Sequence, residues 1–235
     1  MISDTLIIIP AYNEGGGIGR LIKDIRLKVP GVDIVVVDDG SSDDTALQAS
    51  SAGAKVIRLP VNLGYGGALQ TGFKYVLANG YRYAVQIDAD GQHEPSSIPA
   101  LLEPVKKGEA DVAMGSRFMG EGSYKASFAR GIGMWLFGGI ASALIGRKVT
   151  DATTGFQALG PNVIRFYASE NYPVDFPDAD VLIMLHRAGL KSIEVPVVMY
   201  PRTDGRSMHS GLKPLYYVFK MFLSIFVTLL RKTLS

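Results

Sequence analysis

The stretch YAVQIDADGQHEP, Tyr83 to Pro95, decides how the rest of the chain is read. An apolar run of strand type ends in two aspartates, Asp88 and Asp90, with only Ala89 between them, followed by Gly91, Gln92 and His93. Carboxylates at the end of a buried strand cost free energy unless something uses them. The same ending occurs earlier, where DIVVVDD closes on Asp38 and Asp39.

Working outward, TLIIIP, DIVVVDD, AKVIRLP, YAVQID and DVAMGS read as strands. Between them lie segments with helical spacing, such as Ile18, Leu21, Ile22, Ile25 and Leu69, Phe73, Val76, Leu77. Near-continuous apolar strands alternating with helices predict an α/β, doubly wound, mostly parallel sheet over residues 1–118. Ligands of such sheets sit beyond the carboxyl ends of the strands. Asn13 and Glu14, Asp38 and Asp39, and Asp88 and Asp90 all fall there. The second half differs: GIGMWLFGGIASALIG, Gly131 to Gly146, carries no charge, while TTGFQALG and KSIEVPVVMYP each supply a strand candidate.

Composition sets the outer limits. A chain of 235 residues, 47% hydrophobic and 20% charged, buries a substantial core and suits one large domain, with or without a small appendage. With no cysteine there is no disulfide, thiolate nucleophile or zinc–thiolate site, which fits a reducing compartment. The five-residue apolar run in MISDTLIIIP is too short for a signal peptide and reads as a core strand of a cytoplasmic protein. Net charge is +2 but uneven: residues 201–235 carry +5 and the remainder −3. That basic end is suited to an anionic partner.

NEGGGIGRLI fails the GxGxxG dinucleotide pattern in both registers, and no Walker A pattern occurs, so its glycines simply open a helix. The opening stretch reads better as a metal site. On a strand, residues two apart face one side, so Asp88 and Asp90 are expected to share a cleft while Ala89 turns away. Two hard oxygen ligands beside Gln92 suit Mg²⁺ or Mn²⁺, which take substrate phosphates as further ligands. His93 and His186 read as turn and helix-surface residues, because neither has a metal-spaced partner; His209 lies in basic RTDGRSMHS.

In combination, IIIPAYNE, VVVDDGSSDDT, NLGYGGALQTG, QIDADGQHEP, MGSRF, DATTGFQAL and EVPVVMYPRTDGRS resemble family 2 glycosyltransferases of the GT-A fold. The resemblance covers residues 4–210 and is greatest to the branch holding dolichyl-phosphate mannosyltransferases and bacterial polyprenyl-phosphate sugar transferases. It implies inverting transfer of a sugar from a nucleoside diphosphate sugar. It also implies that Pro10, Ala11, Tyr12 and Glu14 form the first nucleotide-binding strand end, with Asp38 and Asp39 near the base or ribose. By the same resemblance Asp88, Ala89 and Asp90 are the metal and diphosphate motif, and Gln92 is a further metal ligand. Arg117 and Arg202 match phosphate-contacting positions, with Arg130, Arg206 and Ser207 as further phosphate or acceptor contacts. Guanidinium forks suit that task because they bind phosphate oxygens bidentately. The chain departs from its relatives at Gln157, where many carry arginine.

In KPLYYVFKMFLSIFVTLLRK, Lys213, Tyr217, Lys220, Ser224, Thr228 and Arg231 recur at three- or four-residue steps and leave a broad apolar face. Its longest uncharged run, Met221 to Leu230, is half of the ~20 residues a membrane span needs. An interfacial helix is therefore expected over residues 212–235, appended to a catalytic domain of residues 1–211 whose halves are 1–118 and 119–211. A helix docked on the protein's own body or in a dimer is the competing reading.

Together these features predict a metal-dependent transferase moving a sugar from UDP or GDP to a polyprenyl phosphate at the cytoplasmic membrane face. Nucleic acid is not among the expected partners; a small integral membrane subunit or a second copy of the chain is compatible. Transfer to a sugar hydroxyl is the alternative within the class, and a nucleotidyltransferase or a silent nucleotide-sugar-binding subunit lies outside it. Asp178 and Asp180 sit where relatives place a catalytic carboxylate, and Asp151 is expected to help position metal or acceptor.

Overall fold

The computed structural model describes residues 3–119, 128–170, 172–173, 179–200 and 213–230, with side chains from 137 onward in the fifth helix and from 222 onward in the last. The strands are β1 (Thr5–Ala11), β2 (Asp33–Asp38), β3 (Lys55–Arg58), β4 (Tyr83–Gln86), β5 (Val112–Ser116), β6 (Gln157–Leu159) and β7 (Ser192–Pro196). The helices are α1 (Gly15–Lys28), α2 (Thr45–Ser51), α3 (Tyr65–Ala78), α4 (Ile98–Lys106), α5 (Phe128–Ile145), α6 (Pro161–Ala168), α7 (Ala179–Arg187) and α8 (Lys213–Leu230). All seven strands join one sheet in the order β3-β2-β1-β4-β6-β5-β7.

Every pairing within the sheet is parallel except those of β6, which runs antiparallel between β4 and β5. Gly72 brings α3 tight against β1, since a Cβ there would stand 2.4 Å from Ile8 Cγ2. β1 and β2 are buried along nearly their whole length, as expected of strands covered on both faces. One face packs Leu6, Ile8, Val35 and Val37 under α3, α6 and α7; the other packs Ile7, Ile9, Val36 and Val85 under α1 and α4. Pro10 falls after the last β1–β4 rung, Ile8 with Gln86, so its missing amide donor costs that ladder nothing.

Two expectations change at this level. The strand before Asp88 ends at Gln86, and residues 89–90 form a turn, so the aspartates do not owe their positions to strand alternation. α8 docks on α7, and the two described members of its polar stripe turn inward: Thr228 is buried beside Ile225 and Ser224 is partly buried, while Phe222, Leu223, Phe226 and Leu230 are exposed. Ser224 Oγ donates to Asp180, and Arg187 Nη1 donates to the carbonyls of Thr228 and Leu229, both at 2.9 Å, closing the helix C-terminus. Among the described residues no helix is long and apolar enough to cross a membrane.

Candidate active site

The carboxyl ends of β1, β2 and β4 form the floor of the site. Asn13, in the left-handed region at φ 55°, turns the chain out of β1, and its side-chain oxygen accepts from Ser42 N at 2.9 Å. Thr45 Oγ1 and Asp43 Oδ2 accept from the amides of Glu14 and Gly15, at 2.9 and 3.0 Å. These acceptors satisfy the opening amides of α1, which are therefore spent inside the protein. Pro10 and Ala11 are buried, whereas Tyr12 is 49% exposed at the rim.

Asp38 and Asp39, expected near a nucleotide base or ribose, are both buried. Asp38 is fully buried; its Oδ1 accepts from Ser41 N at 3.0 Å and its Oδ2 lies 3.4 Å from Arg58 Nε. Asp39 accepts from the amides of Leu63 and Gly64, at 2.7 and 3.0 Å, and so holds the loop that opens α3. Burial raises the Asp39 pKa, with the Asp38 charge acting the same way, and the two amides only partly offset it.

Asp88 and Asp90, both half-buried, stand on the turn after β4. Tyr65 Oη donates to Asp88 Oδ1 at 2.7 Å, and His93 Nε2 lies 3.4 Å from Oδ2. Burial pushes the Asp88 carboxyl up, but the hydrogen bonds from His93 and Tyr65 and the charges of His93 and Arg117 outweigh it, leaving the pKa below the usual value. Asp90 Oδ1 accepts from Gln92 N at 3.1 Å, and Gln92 Nε2 donates to Tyr200 O at 3.0 Å. With its nitrogen donating to Tyr200, the Gln92 amide could offer its oxygen to a cation. No three His, Asp or Glu side chains among the described residues form a metal cage. Mg²⁺ does not require one, since it is commonly held by one or two carboxylates with substrate phosphates and waters, and this donor set fits that habit.

Arg117 is 9% exposed and pairs bidentately with Asp151, Nε to Oδ2 at 2.6 Å and Nη2 to Oδ1 at 2.9 Å. Nη2 also reaches Thr153 Oγ1 at 3.1 Å. Asp151 thus orients Arg117, where sequence alone assigned it to metal or acceptor. Glu194 on β7 fixes that turn in its own right, accepting from the amides of Thr150 and Asp151 at 2.9 and 2.7 Å.

Asp180, expected where a catalytic carboxylate stands, is fully buried and accepts from Ser224, a bond between helices. Gln157 is buried and donates to Thr154 O at 3.0 Å. His186 lies exposed at the end of α7, as read from sequence. His93 does not: it is 4% exposed and stacks on Phe156 at 4.9 Å between ring centres. Both His93 and Tyr65 lie in stretches that carry the family resemblance, QIDADGQHEP and NLGYGGALQTG, but neither stretch alone brings them to Asp88. Asp178, Arg202, Arg206, Ser207 and His209, and the side chain of Arg130, lie outside the described residues.

An α/β sheet that gathers paired acids, an amide and an oriented arginine at its carboxyl ends is the architecture of a GT-A glycosyltransferase. The chain belongs to glycosyl transferase family 2, whose family model matches residues 6–164. It is 33% identical to undecaprenyl-phosphate mannosyltransferase of Micrococcus luteus over 215 residues, covering 88% of this chain and 87% of that one. It is 31% identical to polyprenol monophosphomannose synthase of Mycolicibacterium smegmatis, covering 88% and 81%. The fold matches glucosyl-3-phosphoglycerate synthase of Mycobacterium tuberculosis, crystallised with Mn²⁺, UDP and glucosyl-3-phosphoglycerate, with a TM-score of 0.69, 23% identity and coverage of 96% and 78%.

Proposed function

We propose that this glycosyltransferase moves a sugar, with inversion, from UDP or GDP to a polyprenyl phosphate at the cytoplasmic face of a membrane. The observation that carries the reading is the pairing of the Asp88–Asp90 turn with an oriented Arg117 in a chain whose relatives, matched over most of their length, are named for polyprenyl-phosphate substrates. Pro10, Ala11, Tyr12 and Glu14 line the nucleotide side, and the Asp39-braced loop shapes the wall beside it. Asp88, Asp90 and the Gln92 oxygen would hold Mg²⁺ or Mn²⁺, a use also supported by the Mn²⁺ and UDP bound to the fold neighbour. When bound, the cation neutralises charge gathering on the diphosphate leaving group.

A phosphomonoester acceptor, with a second pKa of about 6, is largely anionic at neutral pH and needs cationic positioning more than a base. Arg117 supplies such a charge, and Arg130, Arg202, Arg206 and Ser207 are its proposed companions. A sugar hydroxyl must lose a proton as it attacks, and Ser224 engages one of the two carboxylates, Asp180, that could take it. The division into a catalytic body, residues 1–211, and a membrane-seeking segment, 212–235, rests on the outward apolar face of α8 and on its basic flanks. An integral membrane subunit or a second copy would meet the same face.

The test is a donor screen with labelled UDP- and GDP-sugars and membrane lipid. Label in the organic extract, dependent on the enzyme and on divalent cation, is expected; a product confined to the water phase would remove the lipid acceptor.

A further inference from the structure

We propose that Tyr65 and His93 are positioning residues that set the orientation of the Asp88 carboxylate, and through it the affinity for a metal-bound nucleoside diphosphate. The inference rests on the glycosyltransferase reading of the site. Neither residue was assigned a role by its sequence. They arrive from separate elements, Tyr65 at the start of α3 and His93 beyond the turn after β4, and each meets a different Asp88 oxygen, at 2.7 and 3.4 Å. The far side is closed by Gly155, where a Cβ would stand 2.6 Å from Tyr65 Oη and 2.7 Å from both Asp88 oxygens. Only glycine lets the backbone lie this close, so carboxylate, phenol and main chain fit as one unit.

His93 carries the argument furthest. Its ring is buried against Phe156, and its Nδ1 has no hydrogen-bond partner among the described residues. Burying a polar nitrogen unpaired is unfavourable, and an apolar side chain would pack on Phe156 without that cost. The polar contact that favours an imidazole here is the one to Asp88. A carboxylate has about four lone-pair sites; two protein donors fix its plane and leave capacity toward the cleft. Asp90 is held differently, its Oδ1 taking the amide of Gln92 from its own turn. Partners that orient a metal-site carboxylate from distant elements typically govern metal affinity by about 10- to 100-fold.

Tyr65→Phe, His93→Leu and His93→Gln separate positioning from folding, because the glutamine amide N–H can replace the Nε2 donor. Binding of Mn²⁺ with UDP and with GDP is measured by calorimetry and Mn²⁺ EPR, alongside thermal melting and donor KM and kcat. Tyr65→Phe and His93→Leu are expected to weaken Mn²⁺–nucleotide binding at least about tenfold and to raise donor KM more than they lower kcat. His93→Gln is expected to stay within about threefold of the native protein. Native affinity in both Tyr65→Phe and His93→Leu, or equal damage in His93→Gln and His93→Leu, would overturn the proposal. A native protein that binds neither nucleotide with Mn²⁺ would overturn the transferase reading itself, and this inference with it.

Discussion

Removing the Arg117 guanidinium strands Asp151, a carboxylate only 2% exposed that takes two of its bonds from that fork. Breaking one side of a buried ion pair costs about 3–5 kcal/mol. Arg117→Ala should therefore lower the melting temperature as well as transfer, and a melt must accompany any assay of it. Arg117→Lys keeps the charge but not the fork, so it should melt nearer the native protein and still transfer poorly. Asp90→Asn removes a ligand charge at nearly constant shape, and is expected to lose at least about 100-fold in turnover while melting normally; near-native turnover would remove Asp90 from the metal site. Glu94 gives a pH signature. Burial raises its pKa, but Lys28 at 2.6 Å and the hydroxyl and amide donors around it win, lowering it from 4.5 to about 2. A carboxyl depressed on folding stabilises fully above its unfolded value and loses that contribution as pH falls through the folded one. Acid titration should thus show stability lost between about pH 4.5 and 2, reduced in Glu94→Gln. The Asp88–Asp90 turn was legible because acids at a strand end are costly. The roles of Asp39, Asp151 and His93 were not, because their partners are Leu63, Arg117 and Phe156, brought close only by the fold.

At the scale of elements, the parallel strands declared themselves through unbroken Val and Ile runs. β6 escaped that logic: three residues do not encode a direction, and its antiparallel course is set by the neighbours it fills between. Orientation of α8 was equally hidden. A helix with one polar stripe ordinarily turns that stripe to water, but here Asp180 on α7 takes the Ser224 hydroxyl, and Arg187 holds the carbonyls of Thr228 and Leu229. Phe226 stands on the outward face and is 59% exposed, so Phe226→Asp should release the protein from anionic liposomes with little change in melting or nucleotide binding. Retained liposome binding would instead make that face a contact with another chain. Ser224→Ala leaves the buried Asp180 short of a donor and should destabilise by about 1–3 kcal/mol, read as a lowered melt. At the α3–β1 contact, Gly72→Ala forces a methyl against Ile8 and should cost about 1–3 kcal/mol; an unchanged melt would mean the helix shifts freely.

Across the whole molecule, the proposed function sets the enzyme between an aqueous donor and a lipid-borne phosphate, with the basic sequence of residues 201–235 as the side expected to meet the anionic partner. In that proposal the carboxyl edge of the sheet meets the nucleotide, while Phe222, Leu223, Phe226 and Leu230 of α8 stand exposed. The most direct measurement of that account is label transfer from UDP- or GDP-sugar into polyprenyl phosphate by the native protein, Arg117→Lys and Asp180→Asn, at saturating donor with nucleotide binding measured in parallel. The account predicts a mild-acid-labile lipid product, strongly reduced transfer by Arg117→Lys, and transfer retained by Asp180→Asn to the extent that it stays folded. Transfer abolished in a folded, nucleotide-binding Asp180→Asn while Arg117→Lys remains active would contradict it, and would make the acceptor a hydroxyl.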